Sequence, residues 1–243
     1  MWLGAAVTGG QGLVVGATSE IGAAVARGLV AEVDRLVLWG RDPDRLTGAA
    51  EGCRADRPDL EVETRPVDVT RSAELADGVA ALRAGGPVKV VVWTPGLFDW
   101  APAQDADSAR WRELAEVNVT APMEFTPLVL PALVEAAPSA LIYLGSGGGH
   151  AIYPNNAAYV ASKHAIGALA HATYADVRRH RVKVCVISPG LVAAGAALWS
   201  PVGQEHPERL LRPEDVAAAV RFVVGFGDHG GPTEIRLQPH RNE

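Results

Sequence analysis

Short apolar runs return along this chain at intervals that each leave room for about one helix, and no other feature constrains the fold as strongly. The runs are Leu13 to Val15, Arg35 to Trp39, Val62 to Val67, Val88 to Trp93, Ala140 to Leu144, Val182 to Ser188 and Thr233 to Leu237. Between them lie segments of helical spacing or composition: Ile21 to Val33, a stretch starting near Arg71, Ser108 to about Ala137, Asn156 to about Arg179, and Pro213 to Phe226. Strands that alternate with helices in this way build a parallel sheet covered on both faces. With no internal repeat and no break in composition, the expected fold class is α/β: a single-domain, doubly wound parallel sheet, Rossmann-like, with helices on both faces.

The chain has 243 residues, 48% apolar and 21% charged, enough to bury one sizeable core. Its net charge of −6 is spread out, with no basic block, which argues against nucleic acid or an anionic membrane as partner and in favour of a small molecule. Cys53 and Cys185 lie far apart without metal-type spacing, so reduced thiols and no metal site are expected. No apolar stretch reaches the ~18 residues of a membrane span and the N-terminus lacks the basic start of a secretory signal, so a cytoplasmic protein is expected. Residues Met1 to Gln11 have no apolar period and read as a flexible leader or expression remnant outside a domain of residues 12–243. Gly9, Gly10 and Gly12 precede the first apolar run and are not read as a phosphate loop.

The first strand-to-helix turn is Leu13-Val-Val-Gly-Ala-Thr-Ser-Glu-Ile-Gly22. Gly16 would allow a tight turn and close approach of a pyrophosphate, and Gly22 close packing of the helix, whose N-terminus faces the phosphates. Two such glycines also suit a plain strand-to-helix turn. The second strand ends in Gly40-Arg41: no acid stands there to take a ribose hydroxyl, and Arg41 offers a cation for a 2′-phosphate, unless it is only the polar start of a helix. Ser19 could add a hydrogen bond to that phosphate. Asp68, closing the third strand, is an adenine-side acceptor or a turn residue.

In the second half, Tyr159 and Lys163 sit one turn apart on one helix face, where an ammonium would lower the pKa of the phenol and make it a proton donor near neutral pH. The bland alternative is a half-buried tyrosine and a solvated lysine. Ser146 emerges where an apolar strand ends, the edge at which open parallel sheets gather ligands. Asn118 is a polar residue in an apolar segment, a pattern of hydrogen-bonded core positions. Prolines 122, 127 and 131 imply kinks or a boundary in the long helical stretch. Residues 192–212, rich in Ala, Pro and Gly, read as a substrate lid. A substrate pocket is expected from Phe98, Trp100, His150, Ile152, Tyr153, Leu198 and Trp199.

Taken together and in order, these residues resemble the short-chain dehydrogenase/reductase family from Leu13 onward. The resemblance puts Asn118, Ser146, Tyr159 and Lys163 on a catalytic tetrad, with the usual thirteen-residue step from Ser146 to Tyr159. It puts Gly16, Thr18, Ser19, Ile21, Gly22, Arg41, Asp68, Val69, Gly96, Pro189 and Gly190 against the cofactor, together with Tyr159 and Lys163. It implies an NADP(H)-dependent oxidoreductase that interconverts a carbonyl and an alcohol, with Asn118 holding a water that links Lys163 to solvent. It also implies a homodimer or homotetramer paired through the helices that hold Asn118 and Tyr159. Other readings are a dinucleotide-binding sensor or scaffold, and a lyase, dehydratase or isomerase on the same site. Three departures bear on these. The family's Thr-Gly-x-x-x-Gly-x-Gly lacks its threonine and middle glycine, with Glu20 at the latter. Its Asn-Asn-Ala-Gly turn is Trp93-Thr94-Pro95-Gly96, and a usual threonine is Ala194.

Overall fold

The computed structural model of the chain describes residues 7–227 and 229–240. Strands β1 (Gln11–Val15), β2 (Arg35–Gly40), β3 (Glu61–Pro66), β4 (Val88–Trp93), β5 (Ser139–Leu144), β6 (Val182–Pro189) and β7 (Glu234–Leu237) form one sheet in the order β3-β2-β1-β4-β5-β6-β7. Every neighbouring pair is parallel. The crossovers are α1 (Glu20–Leu29), α2 (Pro43–Asp56), α3 (Ser72–Ala84), α4 (Ser108–Ala115) running into α5 (Ala121–Glu135), α6 (Ala157–Val177), and α7 (Pro201–Glu205) with α8 (Pro213–Gly225).

Residues alternate between two apolar layers, as the two-residue strand period requires. Val14, Leu38, Val92, Ile142 and Cys185 face α1 and α8, with Leu29 and Val220. Leu13, Val15, Val37, Trp39, Val91, Trp93, Leu141 and Tyr143 face the other way, with Phe125 and Val129. There Phe125 lies edge-on to Trp39 at 6.0 Å between ring centroids and against Trp93 at 4.8 Å. Because β1 is flanked by β2 on one side and β4 on the other, the strand order reverses between β1 and β4, and the crevice that ligands use opens at their carboxyl ends.

One expectation needs correction. The fold begins before residue 12: Val7 is buried, its amide reaches the Val224 carbonyl at 3.1 Å, and Gln11 opens β1. Gln11 lacks an apolar side chain, but its Nε2 donates to the carbonyls of Leu82 (2.9 Å) and Gly86 (2.7 Å), so burial costs it little. Residues Met1 to Ala6 lie outside the described residues. Residues 108–135 form a helical run that matches a membrane span by length and composition alone. In the fold its Phe125, Val129 and Leu133 cover the sheet. The run widens to a π turn over Glu116–Thr120 and then carries Pro127 and Pro131 inside α5 without a break.

Candidate active site

At the end of β1 the chain turns at Gly16 (φ +84), where a Cβ would stand 2.4 Å from Thr94 Oγ1. A Cβ on Gly22 would lie 2.1 Å from the Gly16 carbonyl oxygen, so α1 can approach the turn this closely only with glycine there. Ser19 is the N-cap of α1: its Oγ donates to the Gly16 carbonyl (3.0 Å) and accepts the Gly22 amide (3.0 Å). Both capacities of that hydroxyl are used in the turn, so Ser19 is a clamp rather than the expected phosphate donor. Glu20 is exposed in the first turn, where an acid favours the helix dipole. Ile21 packs against the core on the α1 side.

Gly40 and Arg41 follow β2. A Cβ at Gly40 would sit 2.5 Å from Thr18 Cγ2, which places Thr18 directly over the residue before the exposed Arg41. Asp68 accepts from the amide and hydroxyl of Thr70 at 3.0 and 2.8 Å. Burial alone would raise its pKa, but those bonds and the cations of Arg41 and Arg71 outweigh it and hold the carboxyl below its ordinary range. Val69 is buried in the core, leaving only its main chain for a ligand.

The turn after β4, Trp93-Thr94-Pro95-Gly96, is anchored by Thr94. Its amide (3.0 Å) and Oγ1 (2.7 Å) both reach the Val15 carbonyl, which ties the end of β4 to the end of β1. The next residues are held from the π turn. Asn118 Oδ1 accepts the Leu97 amide (2.7 Å), and its Nδ2 donates to the Leu97 carbonyl (2.9 Å) and to Ser162 Oγ (3.0 Å). Ser162 in turn donates to the Tyr159 carbonyl at 2.7 Å. Asn118 is thus buried, with both Nδ2 protons and one lone pair of Oδ1 bonded to protein groups. Ser162 was not anticipated, although a buried asparagine beside a strand end demands partners.

Tyr159 and Lys163 lie one turn apart on α6, with Lys163 Nζ 5.6 Å from the Tyr159 ring centroid. Lys163 is buried and its Nζ donates to the Leu144 carbonyl at 3.1 Å, which draws the ammonium under the loop that carries Ser146. Gly96 completes the wall: a Cβ there would stand 3.2 Å from Nζ. Burial lowers the pKa of Lys163 from 10.5 to about 8. Burial also raises the Tyr159 phenol, opposed by a hydrogen bond with Ser146. The expected lowering of Tyr159 by Lys163 is therefore not what this geometry gives; desolvation dominates both groups and acts on them in opposite senses. Ser146 Oγ accepts the Gly148 amide (3.1 Å), which leaves its proton to the hydrogen bond with the phenol.

His150 is bonded to residues of β6 and β7. Arg236 donates to its Nδ1 (2.7 Å), so Nε2 carries the proton and points at Ser188 Oγ (3.0 Å) and the Glu234 carboxylate (3.1 Å). Burial, with Arg236, holds this imidazole below its ordinary pKa although Glu234 pulls the other way. The residue braces the Ser146 loop against β6 and β7. Phe98 does reach the site, edge-on to Tyr159 at 5.0 Å between centroids. Tyr153 is exposed, with its hydroxyl 3.6 Å from the Cβ position of Gly147. Trp199 is 79% exposed and makes no described ring contact with these groups. Residues 192–212 are not structureless: they hold α7 and short 3₁₀ turns, with Val192 bridged to Leu211. Pro189 ends β6, and the Gly190 amide reaches the Leu237 carbonyl at 2.8 Å.

A dinucleotide suits these residues. Gly96 leaves the space above Lys163 free of a side chain, the Gly16–Gly22 contact brings the N-terminus of α1 to the strand ends, and Arg41 stands exposed beside them. A family model for short chain dehydrogenases matches residues 12–202. An uncharacterized oxidoreductase of Staphylococcus saprophyticus is 27% identical over 231 residues, 93% of this chain and 96% of its own. Among solved structures, a metagenomic short-chain oxidoreductase in complex with NADP is 28% identical with a TM-score of 0.82, covering 96% of this chain and 98% of its own. An alcohol dehydrogenase from Thermococcus sibiricus, 23% identical with a TM-score of 0.85 over 97% of this chain and 98% of its own, shares the fold. The sheet order, the gathered Ser146, Tyr159 and Lys163, and a match across most of the chain lead to one conclusion: this protein belongs to the short-chain dehydrogenase family of oxidoreductases.

Proposed function

We propose that the protein is an NADP(H)-dependent reductase of ketones or aldehydes, working on a carbonyl and alcohol pair. The observation that carries this is the joint placement of Ser146, Tyr159 and buried Lys163 at the carboxyl ends of the central strands. The nicotinamide, when bound, supplies the hydride. Tyr159 gives its proton to the substrate oxygen as charge develops there, and Ser146 donates a hydrogen bond to the same oxygen. Lys163 keeps a cation under the phenol and holds the nicotinamide ribose. Asn118 positions the segment after β4 through Leu97 and the Tyr159 turn through Ser162.

For cofactor choice, the exposed Arg41 beside side-chain-free Gly40 supports NADP(H), since a guanidinium pairs with a 2′-phosphate and gains little from a bare ribose. The NADP-bound relative at 28% identity supports the same preference. Thr94 and Ser19 hold the two altered turns by hydrogen bonds, which weakens the reading of a binder without turnover. The test is consumption of reduced cofactor with a panel of ketones and aldehydes: turnover with NADPH supports the proposal, and its absence with every carbonyl sinks it.

Pairing of two copies through α5 and α6 is part of the same proposal. Met123, 56% exposed on α5, supports it. Light scattering at a monomer mass across micromolar concentrations would remove it. The buried free thiols of Cys53 and Cys185 support a cytoplasmic setting.

A further inference from the structure

We infer that Phe98 and Trp100 form a specificity wall for an aromatic group, so that the substrate is a neutral aryl ketone or aldehyde; this rests on the carbonyl-reducing reading given above. The two rings stack at 6.2 Å between centroids with 22° between planes, and Phe98 then meets Tyr159 edge-on at 5.0 Å and 69°. A line of three aromatic rings thus ends on the proton donor.

The segment that bears this line is pinned at nearly every residue. Leu97 is held by Asn118, the Phe98 carbonyl accepts Arg110 Nη2 (3.1 Å), Asp99 accepts Trp111 Nε1 (3.0 Å), and the Ala101 amide reaches the Asn155 carbonyl (2.9 Å). Despite these restraints, Phe98 stays 38% and Trp100 60% exposed. A free loop could fold such rings inward; this one is built to hold them out, next to the reacting position. The charges nearest in the chain are already used. Asp99 binds Trp111, and Arg110 binds Glu113 as well as Phe98. The only cation bonded to the wall among the described residues, Arg110, is already shared between Glu113 and the Phe98 carbonyl, and a flat apolar substituent fits the surface best. Stacked or edge-on aromatic contacts contribute beyond simple burial and pre-organised groups lose little entropy on binding.

The full chain is assayed for reduction of acetophenone and of cyclohexyl methyl ketone, which present the same carbonyl with a flat or a puckered ring. Wild type, Phe98→Ala, Phe98→Leu and Trp100→Ala are compared. The expected aryl to cyclohexyl ratio of kcat/KM is about tenfold in wild type, and each variant lowers it at least about threefold. Phe98→Leu separates ring chemistry from bulk, and both positions are exposed enough for the variants to fold. A wild-type ratio at or below one, or ratios unchanged within about twofold in all three variants, overturns the inference. If neither ketone nor any other carbonyl is reduced, the reductase reading fails on its own, and calorimetry with acetophenone decides the wall. Saturable binding weakened by Phe98→Ala upholds it, and no saturable binding overturns it.

Discussion

Asn118 takes both main-chain groups of Leu97, accepting its amide at 2.7 Å and donating to its carbonyl at 2.9 Å, so one side chain replaces the strand neighbour that Leu97 no longer has beyond β4. The third bond, to Ser162, extends the tie to the turn of α6 that bears Tyr159. Asn118→Ala leaves these groups unpaired in a partly buried place. It is expected to cost about 2–3 kcal/mol in urea unfolding and to lower kcat more than it raises the KM for cofactor. Unchanged stability with unchanged kcat would show that the clamp is dispensable.

Gly22→Ala is expected to be far more damaging than an ordinary helix substitution, because the new methyl would stand 2.1 Å from the Gly16 carbonyl and only a backbone shift relieves it. A thermal shift assay should show loss of stability, and titration should show loss of NADPH affinity by at least about tenfold. Wild-type affinity in this variant would mean that α1 need not approach the turn.

Burial holds Lys163 at about 8 instead of 10.5, so its charge is present below about pH 8 and lost above it. Tyr159, raised above its ordinary 10, keeps its proton through that window. The kcat/KM for reduction, which reports the free enzyme, should therefore fall as pH rises through about 8. Stability moves oppositely: between about 8 and 10.5 the unfolded chain binds more protons at this residue than the folded one, so folding gains as pH rises. Lys163→Met should abolish turnover, raise Tm near neutral pH and remove this gain. A variant no more stable than wild type would contradict the cost assigned to the buried charge.

Arg41→Ala is expected to erase most of an NADPH over NADH preference of at least about tenfold in binding titrations. Gly40→Asp, the obvious change toward NADH, meets Thr18 Cγ2 2.5 Å from its Cβ, so Thr18→Ala should accompany it. Equal or tighter binding of NADH by wild type would return Arg41 to the role of a polar helix start.

The strands and the order of Ser146, Tyr159 and Lys163 were legible in the sequence because period and spacing are local properties, and the structure keeps Val88–Trp93 to the residue. What was not legible depends on contacts between distant segments. Nothing in the spacing of Asn118 names Leu97 or Ser162 as its partners, and nothing near His150 points to Glu234 and Arg236 on β7. The departure at Trp93-Thr94-Pro95 was visible, but its repair required knowing that Thr94 Oγ1 falls 2.7 Å from the Val15 carbonyl. Likewise the sign of the Tyr159 shift follows from how deeply the loop and α6 bury the pair, which the Tyr-x-x-x-Lys spacing leaves open.

The most direct test is the rate of NADPH oxidation with an aryl ketone in wild type and in Tyr159→Phe, alongside NADPH titration of both. The account predicts turnover in wild type, a loss of at least about a hundredfold in kcat for the variant, and NADPH affinity within about threefold. A Tyr159→Phe enzyme that keeps activity within about tenfold of wild type would contradict the assignment of the proton donor.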